Sequence, residues 1–105
     1  LRITLHANSN RIAFFSPQGV NYNNYDFPQT SDLKVAFQYK ENDWKIYING
    51  TLKATDTSAL TFSANTLSEL AFDLASTNPF FGKTKDVKVY TTALTDAELA
   101  ALTSL

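Results

Sequence analysis

The sequence predicts an all-β protein, an antiparallel sandwich, and three observations carry that expectation. Leu33, Val35, Phe37 and Tyr39 alternate with polar residues along one run, and Trp44, Ile46 and Ile48 do the same in the next. Period-two alternation in β-branched and aromatic residues marks half-buried strands. Asn49-Gly50 then separates the second run from a third. Both residues tolerate the positive φ of a type I′ hairpin turn, which makes the pair a strong hairpin signal.

The elements follow in order. Leu1, Ile3 and Leu5 alternate with Arg2, Thr4 and His6, giving a strand over 1–7. Asn8-Ser9-Asn10 suits a short hairpin loop into a second strand at 11–15. Ser16-Pro17-Gln18-Gly19 has proline and glycine where a type I turn prefers them, and a long loop follows as far as Leu33. Strands are expected at 33–40, 44–49, 52–56, 69–75 and 83–91, with Glu41-Asn42-Asp43 closing the central hairpin. Pro79 breaks the chain within 77–82. In the last strand Val87 and Val89 are expected toward the core, and Asp86, Lys88 and Tyr90 toward solvent.

One helix closes the chain. Thr95 as N-cap and Glu98 at N3 form a capping box, and Leu94 with Leu99 is placed as a hydrophobic staple. Asp96 puts negative charge at the helix N-terminus, where the macrodipole favours it. Leu99 and Leu102 share a face that ends near Thr103. Two turns are unstable alone, so the helix must dock on the sheets.

Composition narrows the function. The 105 residues form one domain, with 44% apolar and 18% charged residues, as in a globular chain. A net charge of −1 without a block of like charges argues against nucleic acid or anionic membrane as partner. No run approaches the ~20 apolar residues of a membrane span. Cysteine and methionine are both absent, which removes disulfides and thiol chemistry. Alternation that starts at residue 1 without an initiator suggests that sequence is missing upstream.

Two stretches combine into a more specific pattern. One is L-K-V-A-F-Q-Y-K-E-N-D-W-K-I-Y-I-N-G-T-L over 33–52, and the other is F-F-G-K-T-K-D-V-K-V-Y-T-T-A-L-T-D-A-E-L-A-A-L over 80–102. A strand with a Val-Ala pair, a Tyr-x-Asn-Gly hairpin and a glycine-led strand running into A-L-T-D-A-E-L resembles the laminin-G-like, concanavalin A-like lectin jelly roll. With the final helix and the terminal Leu-Thr-Ser-Leu, the chain resembles sandwich domains at the ends of tailed-bacteriophage fibres and other virion proteins. The resemblance implies a non-catalytic binding or structural module, virion-borne or extracellular, acting as an oligomer or within a larger assembly. Its implied partners are a cell-surface glycan or other virion subunits. Complete domains of this kind carry further strands N-terminal to this start. On that expectation residues 1–105 are the C-terminal part of a larger domain, stable only with upstream sequence or in an oligomer. The alternatives are an extracellular adhesion domain that binds proteins, and a fragment of a sandwich-fold glycoside hydrolase or lyase.

The chemistry of catalysis is sparse. His6 is the single histidine, at an outward strand position, and no G-x-S-x-G elbow accompanies it. Glycosidases on such sandwiches use two facing acids, commonly at spacing two on one strand. Only Glu41/Asp43, in a turn and expected to be solvated, and Asp96/Glu98, in the helix cap, have that spacing. No cofactor is expected. Asp26, Asp43, Asp56 and Asp73 would be the calcium candidates that the resemblance implies, but no dense D-x-D-x-D loop supports the ion. Asn49-Gly50-Thr51 matches the glycosylation sequon and reads as a turn.

The loop segment 21–27 is the one candidate ligand site. Sugar recognition stacks aromatic faces on pyranose C–H surfaces and bonds hydroxyls through amides or carboxylates. Tyr22 and Tyr25 would stack, and Asn24 and Asp26 would bond hydroxyls. The competing reading has Tyr22, Tyr25 and Phe27 pinning the loop to the sandwich edge. Trp44, in register with Ile46 and Ile48, reads as core, and one of Phe80 and Phe81 as exposed at a rim.

Overall fold

The computed structural model describes the backbone of residues 2–6, 11–15 and 21–26, and residues 32–57 and 83–105 with their side chains. The first group forms an antiparallel sheet of β1 (Arg2–His6), β2 (Arg11–Phe15) and β3 (Asn21–Asp26), in that spatial order. The first two strands lie within the expected segments, at Arg2–His6 and Arg11–Phe15. The segment expected as a long loop is instead strand β3. Asparagine is a poor strand former, but pairing with β2 overrides local preference. Ile12 stands opposite Tyr25 and Phe14 opposite Tyr22, so β3 carries one residue more than β2 between these pairs. That is a β-bulge.

The second sheet is β4 (Val35–Lys40), β5 (Asp43–Ile48) and β6 (Thr51–Asp56), again antiparallel and in chain order. Asn49 (φ 49°) and Gly50 (φ 82°) both adopt the left-handed conformation, as a type I′ turn between β5 and β6 requires. Between β4 and β5 the turn is only Glu41 and Asn42, with Asn42 at φ 55°. Asp43, expected in that turn, is the first residue of β5 and pairs with Lys40.

Both faces of this sheet are covered. Trp44, Ile46 and Ile48 are each 1% exposed, and Leu33, Val35, Phe37 and Ala54 pack against the two isoleucines. The ring of Phe37 meets Trp44 edge-on at 5.1 Å. On the opposite face Ala36 and Tyr47 form a second cluster with Leu99 of helix α1 (Asp96–Thr103), joined by Leu94 and Ala100. The half-buried reading of β4 is therefore corrected. Ala36 is buried against the helix and Gln38 is buried with its amide bonded to Asp43, while Tyr39, expected inward, is exposed at the strand end.

Helix α1 begins at the expected cap. Glu98 N–H donates to Thr95 Oγ1 (3.2 Å), and Thr95 N–H donates to Glu98 Oε2 (2.8 Å). Its docking face differs by one residue from the expected one. Leu99 and Thr103 are buried, whereas Leu102 is exposed. A 3.6-residue repeat lets the four-residue spacing of 99 and 103 sit against β4 and β5.

The strand expected at 83–91 is not formed. Residues 83–90 adopt no regular secondary structure and pair with no other described segment, and Val89 is more exposed (68%) than Tyr90 (42%). Alternation supplies the side-chain pattern of a strand, but only a hydrogen-bonded neighbour supplies the ladder. The strand expected at 69–75, the break at 77–82 and Phe80 and Phe81 lie outside the described residues.

Candidate functional site

The register of the first sheet sorts its residues into two faces. Ile3 and Leu5 of β1 stand opposite Phe14 and Ile12 of β2, which stand opposite Tyr22 and Tyr25 of β3. Directly opposed residues share a face. The six positions therefore form one apolar and aromatic face. Without the bulge, Tyr22 and Tyr25, three residues apart, would fall on opposite faces. The extra residue brings them together.

The other face carries the polar set. His6, Arg11 and Asp26 form one cross-strand row, and Arg2 stands opposite Phe15, which faces Asn21. The sequence grouped Tyr22, Asn24, Tyr25 and Asp26 as one site. The register keeps the two tyrosines together and sets Asp26 on the opposite face. Asn24 falls within the bulge, against Ala13.

The second sheet gathers its charged groups where the helix begins. Gln38 Nε2 donates to Asp43 Oδ2 at 2.9 Å, and Lys45 Nζ lies 3.7 Å from Asp43 Oδ1. The same ammonium donates to Asp96 Oδ1, which ties the first turn of α1 to β5. That bond, reinforced by the charge of Asp43 and opposed by burial, holds the Lys45 ammonium above its ordinary 10.5. Asp43 is thus half-buried and bonded, where solvation was expected. The backbone N–H and hydroxyl of Thr95 hold the Glu98 carboxyl below its ordinary 4.5. The acids of both spacing-two pairs are accounted for structurally: Glu41 in the turn, Asp43 and Asp96 on Lys45, and Glu98 in the cap. No cluster of three metal-ligating side chains occurs among the described residues.

The far end of the helix rests on the type I′ turn. Gly50 N–H donates to Thr103 Oγ1 (3.0 Å), and the Thr103 hydroxyl donates to Leu99 O (2.8 Å). Lys34 N–H donates to Asn49 Oδ1 (2.9 Å), Asn49 N–H returns to Lys34 O (2.9 Å), and Lys34 Nζ donates to Ser104 O (2.6 Å). Sequence reasoning found the turn but not this junction, because a lone Thr103 at a helix end carries no local signal.

Among described aromatics, Trp44 is core, as its register indicated. Tyr39 was missed as an accessible ring. It is 38% exposed, its inner side stacked on Phe37 with centroids 6.3 Å apart. Its place beside the Glu41-Asn42 turn is the signal that could have found it. Among the described residues no helix is long and apolar enough to cross a membrane.

The described residues are mostly β, in two antiparallel three-stranded sheets, with one short capped helix. A laminin-G-like family model described as the concanavalin A-like lectin/glucanases superfamily matches residues 1–100. The chain belongs to that superfamily. No curated protein and no solved structure matches it significantly.

Proposed function

We propose that this chain is a non-catalytic carbohydrate-binding module of a virion fibre or decoration protein, recognising cell-surface glycans through β3. The observation that carries the reading is the match to a lectin and glucanase superfamily over residues 1–100. Binding is favoured over hydrolysis because, of the two described acid pairs at that spacing, Asp43 and Asp96 are tied to Lys45 and Glu98 to the helix cap, while Glu41 sits in an exposed turn. The bulge sets the two tyrosine positions on one face, as a stacking platform needs, but it is the apolar face of Ile3, Leu5, Ile12 and Phe14, so the tyrosines reach a glycan only if that face is open rather than packed in the sandwich. The virion assignment rests on the resemblance of the final helix and terminal Leu-Thr-Ser-Leu. Single-site affinity is expected between roughly millimolar and tens of micromolar, because such sites are shallow and wet.

Glycan-array and whole-cell binding by the purified protein test this reading. Tyr22→Ala with Tyr25→Ala should abolish binding while leaving the melting temperature nearly unchanged. If the double variant unfolds, the tyrosines are packing groups and the site assignment fails. Release of reducing sugar from a bound glycan would overturn the non-catalytic reading.

A further inference from the structure

We infer that Asn49-Gly50 is a self-deamidation site held shut by Thr103, so that docking of helix α1 controls chemical modification of the hairpin turn. Deamidation of an Asn-Gly pair needs the glycine amide nitrogen, stripped of its proton, to attack the asparagine side-chain carbonyl carbon. Glycine favours this because no Cβ obstructs the approach. In this turn the two reacting groups are held by different partners. Asn49 Oδ1 accepts from Lys34 N–H at 2.9 Å, while Gly50 N–H points to Thr103 Oγ1 at 3.0 Å. Thr103 is 2% exposed and fixed in turn by its own bond to Leu99 O. The Gly50 proton is therefore hard to remove while the helix is docked.

The Lys34 contact acts in the other direction. A backbone N–H bonded to Oδ1 polarises the carbonyl and stabilises the oxyanion formed when it is attacked. The electrophile is thus prepared, and the nucleophile is restrained only from the helix side. Once the helix lifts, Gly50 N–H loses its proton to solvent base and its nitrogen bonds to Asn49 Cγ. The Cγ–Nδ2 bond breaks, and ammonia leaves with a proton from water. Water then opens the five-membered imide at either carbonyl, giving aspartate or an isoaspartyl link at position 49. The isoaspartyl product adds a methylene to the backbone. A type I′ turn has no room for it, so Gly50 N–H no longer reaches Thr103. Modification then prevents redocking.

The test is peptide mapping of position 49 after incubation of the purified full chain in mildly alkaline buffer, folded and in urea. Wild type should deamidate far more slowly folded than in urea. Thr103→Val, which keeps the shape and removes the acceptor, should raise the folded rate roughly tenfold. Thr103→Ser should stay near wild type, and all three should be alike in urea. A Thr103→Val rate equal to wild type in the folded state would overturn the proposal. Should that variant fail to fold, hydrogen exchange at the Gly50 amide of the wild type decides. Slow exchange supports restraint by Thr103, and exchange as fast as in an unfolded peptide overturns it.

Discussion

Gly50 meets two demands at one position. Its φ of +82° lies in the left-handed region, and a Cβ there would sit 3.3 Å from Ser104 Oγ and 3.6 Å from Ala100 O. The side chain of Ser104 can rotate away, but the backbone conformation cannot relax without opening the turn. Gly50→Ala should therefore cost about 1–2 kcal/mol, mostly from the dihedral, measured as a lower urea midpoint. A variant as stable as wild type would mean that the turn is not held as described. Glu98 has a different signature at the same scale. Its folded pKa is depressed by the bonds from Thr95, so its contribution is full above the unfolded value of about 4.5 and is lost as pH falls through the lower folded value. Glu98→Gln keeps the capping geometry but not the charge. Its melting temperature should fall less steeply than that of wild type between about pH 5 and pH 3. Lys45 works with the opposite sign. Its raised pKa contributes stability throughout the neutral range, and that contribution disappears only as pH rises above 10.5.

The helix shows how a short element is made stable by its neighbours. Two turns cannot hold themselves together in water, so α1 depends on the buried Leu99, the staple from Leu94 and bonds at both ends. Leu99→Ala should destabilise by about 2–4 kcal/mol, whereas Leu102→Ala should fall within about 0.5 kcal/mol of wild type. Thermal melts followed by the helical circular dichroism signal would separate the two, and equal losses would place the wrong residue in the docking face. The cap and staple were legible because they use side chains three to five residues apart. The docking face was not, because choosing between Leu102 and Thr103 depends on where the Gly50 N–H lies, some fifty residues earlier in the chain. The same limit explains the two misread segments. Residues 21–26 look like a loop until β2 stands beside them, and 83–90 look like a strand although no described partner pairs with them. Local pattern reports which face a residue would choose, and pairing decides whether a strand exists.

Across the chain, the candidate site depends on a feature that no local reading could supply. Spacing alone sets Tyr22 and Tyr25 on opposite sides of a strand, and the bulge against Ala13 reverses that. The same register separates Asp26 from the tyrosines and joins it to Arg11 and His6. The sheet therefore offers two distinct surfaces, and the two make opposite demands on mutants. Stacking from the tyrosine face predicts that Asp26→Asn leaves glycan binding within about twofold of wild type, since a pyranose seated on one face cannot reach a carboxylate on the other. Recognition from the polar row predicts the reverse, with Asp26→Asn losing most of the binding and the double tyrosine variant retaining it. The first outcome requires the face shared with Ile3, Leu5, Ile12 and Phe14 to be open to the ligand, since stacking uses the exposed face of a ring. Titration of both variants with the same array-positive oligosaccharide decides the matter, provided that each retains the wild-type melting temperature. Loss of binding in Asp26→Asn alone would move the site to the face of Arg11 and His6.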